Sequence, residues 1–150
     1  MQPIAIRDAH LEDLPDLLRM METFYAHEEI AFDAAEAREG VGNLLRETSR
    51  GWVWILTRDE AVAGYVVVVL YFSLEFGGMA AIVDELFLVD GMRGVGIGSD
   101  VLRRIESEAS GRGVRALRLE VAHVNEKARR LYERTGFVAE ERTLMSKRLV

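Results

Sequence analysis

The sequence contains no cysteine. That excludes disulfides, thiolate metal sites and cysteine nucleophiles together. Proline is scarce, with only Pro3 and Pro15, both near the start. No linker, internal repeat or low-complexity tract interrupts the chain. Apolar runs are short of the roughly 18 residues that a membrane-crossing helix requires. The most apolar stretch, residues 61–72, reads as a strand. The opening residues show no basic segment followed by an apolar block, so no signal peptide is expected and a cytoplasmic location fits. An excess of positive charge is missing as well. The net charge is −6, and Arg103, Arg104, Arg112, Arg115 and Arg118 are interleaved with acids and apolar residues. Without a basic face to displace counterions, no nucleic-acid partner is expected. His10, His27 and His123 have no mutual spacing that suggests a metal site, so no metal is expected.

What remains is an ordinary globular composition. The 150 residues are 49% hydrophobic and 29% charged. One domain over residues 1–150 is expected, burying roughly 70% of its unfolded surface. Residues 3–8 read as a short strand. Leu11, Leu14, Leu17, Leu18 and Met21 recur at helical spacing, and residues 33–48 form a second helical pattern. Residues 52–57, 62–72 and 80–89 read as a three-stranded meander, with turns at Arg58-Asp59-Glu60 and Gly77-Gly78. A glycine-rich loop then opens a helix carrying Ile97, Val101, Ile105 and Ala109 on one face, which Gly111 and Gly113 end. Residues 114–122 alternate as a strand. Asn125 can cap a short helix, Gly136 can stop it, and Phe137 can fold back onto its last turn. Residues 137–149 are expected to close the chain as a strand. The predicted order is β-α-α-β-β-β-α-β-α-β, a mixed α/β sheet flanked by helices.

The loop over residues 91–98 carries the most chemistry. Glycines at 94, 96 and 98 allow successive amides to point into one concavity. The following helix adds unpaired amides and the positive end of its dipole. Arg93 adds a forked, charged donor. Together they make a seat for a pyrophosphate. Two other phosphate motifs fail. The dinucleotide fingerprint needs a third glycine where Ser99 or Val101 stands, and the P-loop needs a Gly-Lys pair that is absent.

At this point the sequence resembles a family. Arg93-Gly94-Val95-Gly96-Ile97-Gly98 matches the acetyl-CoA signature of the GNAT N-acetyltransferases, Arg/Gln-x-x-Gly-x-Gly/Ala. Asn125, Tyr132 and the Gly136-Phe137 pair match the family's second motif. The element order agrees over nearly the whole chain. Asp90-Gly91 departs from the pattern, since many members carry proline in that loop.

The resemblance implies acetyl transfer from acetyl-CoA to a primary amine of a small molecule, by direct attack and without a covalent enzyme intermediate. A protein or peptide N-acetyltransferase and a non-catalytic acyl-CoA-binding module are the alternatives. It implies that the strand before the loop splays from its neighbour and that Leu86, Phe87, Leu88 and Val89 line the pantetheine arm. Arg93, Gly94, Val95, Gly96, Ile97, Gly98 and Ser99 would hold the pyrophosphate, with Asn125 and Ala128 bordering the arm on the far side. Tyr132 would reach the sulfur and protonate the leaving thiolate. Asp84 and Glu85 are the candidate bases. In spermidine/spermine acetyltransferases, which this stretch resembles locally, the position matching Asp84 is the proposed base, and the position matching Glu85 is also acidic. Strand alternation is expected to point the two to opposite faces, so that only one can serve. Either could instead cap a turn or pair with an arginine such as Arg118. Phe24, Tyr25, Glu28, Phe72 and Glu75 lie in regions that flank the acceptor cleft in the family, and their mix of aromatics and acids suits a cationic amine. By the same analogy a homodimer is the expected assembly.

Overall fold

A computed structural model describes residues 2–94 and 96–150. Two compact units divide the chain, one running to Glu120 and one comprising Val121–Val150. The first holds β1 (Ala5–Asp8), α1 (Leu14–His27), α2 (Ala34–Arg46), β2 (Gly51–Arg58), β3 (Ala61–Ser73), β4 (Gly78–Leu88), α3 (Ile97–Gly111) and β5 (Leu117–Leu119). The strands form one sheet in the order β1-β2-β3-β4-β5. Pairing is antiparallel from β1 to β4 and parallel between β4 and β5. This is the mixed α/β sheet that the sequence pattern predicts.

Each face of the sheet follows from strand alternation. Val53, Ile55, Tyr65, Val67 and Phe87 point to the side covered by α1 and α2, where they pack with Leu17, Met20, Met21 and Val41. Trp54, Leu56, Val66 and Val68 take the other side and are fully buried. Val101, Leu102, Ile105 and Ala109 are the buried face of α3. Just past the end of α3, the Arg112 guanidinium lies 4.9 Å over the Trp52 ring and 5.3 Å over Trp54, and donates to Asp8 Oδ1 at 2.9 Å. Asp33 starts α2 by accepting the Glu36 amide at 2.9 Å, as a helix cap should. Asp59 and Glu60, both with positive φ, make the two-residue turn between β2 and β3.

In the second unit, α4 (Glu126–Arg134) begins at Asn125, whose side chain accepts the Ala128 amide at 3.2 Å. Its end is a Schellman motif. The Phe137 amide donates to the Tyr132 carbonyl at 3.0 Å and the Gly136 amide to Glu133 at 3.1 Å. The Phe137 ring packs edge-on to Tyr132 at 6.0 Å, so the predicted fold-back is present.

Two expectations are corrected. Residues 137–149 form no strand. Three consecutive charged residues, Glu140-Glu141-Arg142, interrupt the segment. Leu144 and Met145 are adjacent, so they cannot share a strand face, and both are exposed. The predicted strand over 114–122 shortens to Leu117–Leu119, because its ladder partners on β4 are only Ala81, Ile82 and Val83.

Candidate functional site

The site begins with an irregularity in β4. Val67 of β3 pairs with Glu85, but the next residue, Val68, pairs with Val83. Asp84 is therefore an extra residue without a β3 partner, a β-bulge that breaks the period-two alternation. The expectation that Asp84 and Glu85 face opposite ways is thereby overturned. Both line one cavity of about 320 Å³ between β3, β4, α1 and α2. The β4–β5 pairing also ends at Val83, leaving the following stretch of β4 without a β5 partner.

Glu85 is buried, with 8% of its surface exposed. Its Oε2 accepts from the Tyr25 hydroxyl at 2.9 Å and its Oε1 from the Tyr65 hydroxyl at 2.8 Å. Burial pushes its pKa above the ordinary carboxylate value, while the two phenol hydrogen bonds pull the other way and the neighbouring Asp84 charge adds to the rise. Asp84 stays open to solvent on one side, and desolvation also raises it. Neither acid pairs with Arg118. That guanidinium instead donates to Tyr71 at 2.9 Å and to Glu75 at 2.7 Å, and lies over the Phe76 ring.

Asp33 and Glu36, at the start of α2, bring the number of carboxylates lining the cavity to four. Met21, Val41, Leu44, Val67 and Val69 provide apolar lining, and none of the lining residues is Lys, Arg or His. Sequence reasoning missed Asp33, Glu36 and Tyr65. Asp33 is recognisable only as a helix cap, and Tyr65 sits in an apolar run that reads as core. Of the five residues considered for the acceptor, Tyr25 lines the cavity. Phe24 packs against the core, Glu28 is exposed at the end of α1, Phe72 is exposed near the β3–β4 turn, and Glu75 is held by Arg118.

At the far end of β4 lies the glycine loop. Gly96 takes a φ of +88° and stands as the N-cap of α3, with no side chain capping the first turn. A Cβ there would meet nothing within 4 Å, so the space before the helix is open. Gly94, Ile97, Gly98 and Ser99 flank Gly96 along the chain; Val95 lies outside the described residues. Arg93 donates to the Leu88 carbonyl at 3.2 Å and lies 5.7 Å over the Phe87 ring, with one guanidinium nitrogen 3.5 Å from His27 Nδ1. Phe87 turns its side chain into the core, whereas Leu86, Leu88 and Val89 are partly exposed. In the second unit Asn125 is occupied as the α4 cap, and Ala128 and Tyr132 are half-buried on that helix. Among the described residues, no cluster of three potential metal ligands occurs, and no helix is long and apolar enough to cross a membrane.

Residues 8–137 match the model of the acetyltransferase (GNAT) family. The chain belongs to the GNAT family. One relative is the uncharacterized N-acetyltransferase YycN of Bacillus subtilis (strain 168), 32% identical over 104 residues; the match covers 69% of this chain and 65% of that relative. An integron cassette protein from the mobile metagenome of Cole Harbour Salt Marsh superposes with a TM-score of 0.83 at 32% identity, over 97% of this chain and 90% of the other. A predicted acetyltransferase from Clostridium acetobutylicum, solved with acetyl-CoA, shares the fold with a TM-score of 0.77 at 18% identity, over 96% of each chain.

Proposed function

We propose that this GNAT chain is an N-acetyltransferase that moves an acetyl group from acetyl-CoA to a primary amine of a small molecule, by direct attack in a ternary complex. The observation that carries this reading is the cavity beside β4, where the carboxylates of Asp84, Glu85 and Asp33 gather without a Lys, Arg or His among the lining residues. Such a lining favours a cation, and a volume of about 320 Å³ suits a compact one.

The glycine loop fits a diphosphate. Its helix start is free of a side-chain cap, the space at Gly96 is open, and Arg93 stands beside it. Gly94, Gly96, Gly98 and Ser99 would hold that group, and the edge of β4 past Val83 would hold the pantetheine arm. Bound acetyl-CoA would supply the acetyl group as a thioester open to nucleophilic attack.

The chain's own residues then manage protons. A primary amine is mostly ammonium at neutral pH and must lose a proton before it attacks. A carboxylate with a pKa of about 4 is a poor acceptor for that proton, and one raised by burial is a better one. Glu85, buried and raised, is assigned this role; Asp84, more open to solvent, would carry the proton onward. Tyr132, by its place in the second motif, is assigned proton donation to the leaving sulfur.

The test is a panel of amines assayed for acetyl-CoA-dependent release of free CoA: polyamines, aminoglycosides, amino acids and short peptides. Turnover with cationic small amines is expected. Turnover with peptides alone would overturn the small-molecule reading, and release with no amine of any class would overturn the enzymatic one.

A further inference from the structure

We propose that Tyr25 and Tyr65 are positioning residues, which hold the Glu85 side chain as an oriented anion ready to receive a proton. The proposal rests on the reading of Glu85 as the proton acceptor. It starts from an imbalance: a buried carboxylate ordinarily needs a cation or several donors to stay ionised. None of the residues lining its cavity is cationic. Each carboxylate oxygen instead receives one phenol hydroxyl, Tyr25 on Oε2 and Tyr65 on Oε1.

The two phenols come from different elements and are fixed independently. Tyr65 is paired with Phe87 on β4, two residues beyond Glu85, so it is a diagonal neighbour on the same sheet face. It is fully buried, and its ring is set by Phe87 at 5.9 Å and Phe24 at 6.4 Å. Tyr25 stands in the last turn of α1, edge-on to Phe24 at 5.8 Å and Phe32 at 5.4 Å. Burial and the adjacent Glu85 charge push both phenols above the ordinary tyrosine value, so both remain donors while the carboxyl titrates.

With one bond on each oxygen, the carboxylate cannot rotate without breaking both. A carboxylate offers about four acceptor positions, so two stay available to an incoming ammonium or water. The other titratable groups around Glu85 are Asp84 on β4 and Asp33 and Glu36 on α2, all acidic and all lining the cavity. The Asp84 charge disfavours the anion, which leaves the tyrosines as its identified support.

A core role alone would make the opposite assignment, with Glu85 merely satisfying two buried hydroxyls. Titration shows whether the phenols hold the anion, and the pH profile of CoA release separates the two roles: a positioning role shifts its lower limb together with the Glu85 midpoint in Tyr25→Phe, whereas a core role leaves that limb in place. The full chain, labelled with 13C at glutamate carboxyls, is followed by NMR against pH for wild type, Tyr25→Phe and Tyr65→Phe. The Glu85 resonance is identified by its loss in Glu85→Gln. Each Phe variant removes one hydrogen bond to a charged acceptor, so the Glu85 midpoint is expected to rise by about one to two pH units. An unchanged midpoint in folded Tyr25→Phe overturns the proposal. If Tyr65→Phe fails to fold, the half-buried Tyr25 at the helix end still decides it. The reading of Glu85 as base fails separately, if Glu85→Gln keeps wild-type CoA release across the amine panel whatever the titration shows.

Discussion

Gly64→Ala tests how closely β3 must lie against the part of β4 assigned to the cofactor arm. Gly64 pairs with Leu88 on β4 and with Leu56 on β2. A Cβ at this position would stand 1.9 Å from the Phe87 carbonyl oxygen, 3.0 Å from its carbonyl carbon and 3.1 Å from the Leu88 Cα. All three atoms are backbone, so no side chain can rotate out of the way. Real Cβ atoms essentially never come within 3.0 Å of another heavy atom, and the approach falls short of that by 1.1 Å. If the strands part by this amount, the neighbouring bond from the Val89 amide to the Ala63 carbonyl, now 2.9 Å, is lost. One or two broken ladder bonds cost about 1 kcal/mol each, and the overpacking adds about 1–3 kcal/mol. For a chain of this size, a total of about 4 kcal/mol lowers Tm by roughly 8–16 °C. Gly40→Ala is the matched control. It lies inside α2, and its Cβ would meet nothing within 4 Å. That methyl should leave stability unchanged or raise it by up to about 1 kcal/mol. Thermal melts followed by circular dichroism measure both. A Gly64→Ala melt within about 2 °C of wild type would refute the close approach on which this reasoning depends.

Arg112→Ala should remove the guanidinium from above Trp52 and Trp54 together with its bond to Asp8, costing about 1–2 kcal/mol and shifting tryptophan emission to the red. Unchanged emission and an unchanged melt would dismiss that cluster as incidental. Glu85→Gln should gain stability relative to wild type as pH rises. Folding raises the Glu85 pKa, so wild type is favoured below the unfolded value of about 4.3 and loses that advantage as pH climbs through the folded value. Melts from about pH 4 to pH 8 should show the gap between the two proteins widening and then levelling; a gap independent of pH would mean that Glu85 does not ionise as an acid raised by burial.

How much of this was legible in the sequence depends on whether a feature is local. Helix α4 was readable in full, because Asn125, Gly136 and Phe137 act within one or two turns of it. The boundaries of α2 and of the meander strands lie within a few residues of those expected from periodicity. The glycine loop was found for the same reason. The final strand was misread because a strand needs a partner, which residues 137–149 do not carry within themselves. Tyr65 was hidden in Tyr65-Val66-Val67-Val68-Val69, where nothing local marks one residue as facing a carboxylate. Asp33 and Glu36 fall at the start of a helical pattern, and only the folding of α2 over the sheet brings them to the same cavity as Glu85. Of the acceptor residues considered from analogy, Tyr25 lines the cavity and the others occupy other surroundings.

The bulge at Asp84 accounts for two properties that regular pairing could not supply together. In an unbroken β4, Asp84 and Glu85 would alternate, and one carboxyl would be turned away from the cavity. One unpaired residue cancels that alternation and lets both acids line the same space. A bulge also bends and twists its strand. The β4–β5 ladder stops at Val83, directly before the bulged residue. Past that point β4 has no ladder partner on β5, which is what an extended amide-bearing ligand such as pantetheine would need. Acid placement therefore traces to a single extra residue, and the β4–β5 ladder stops beside it. Deleting Asp84 would restore the register and should remove both features, even though Glu85 and the glycine loop would remain in the sequence.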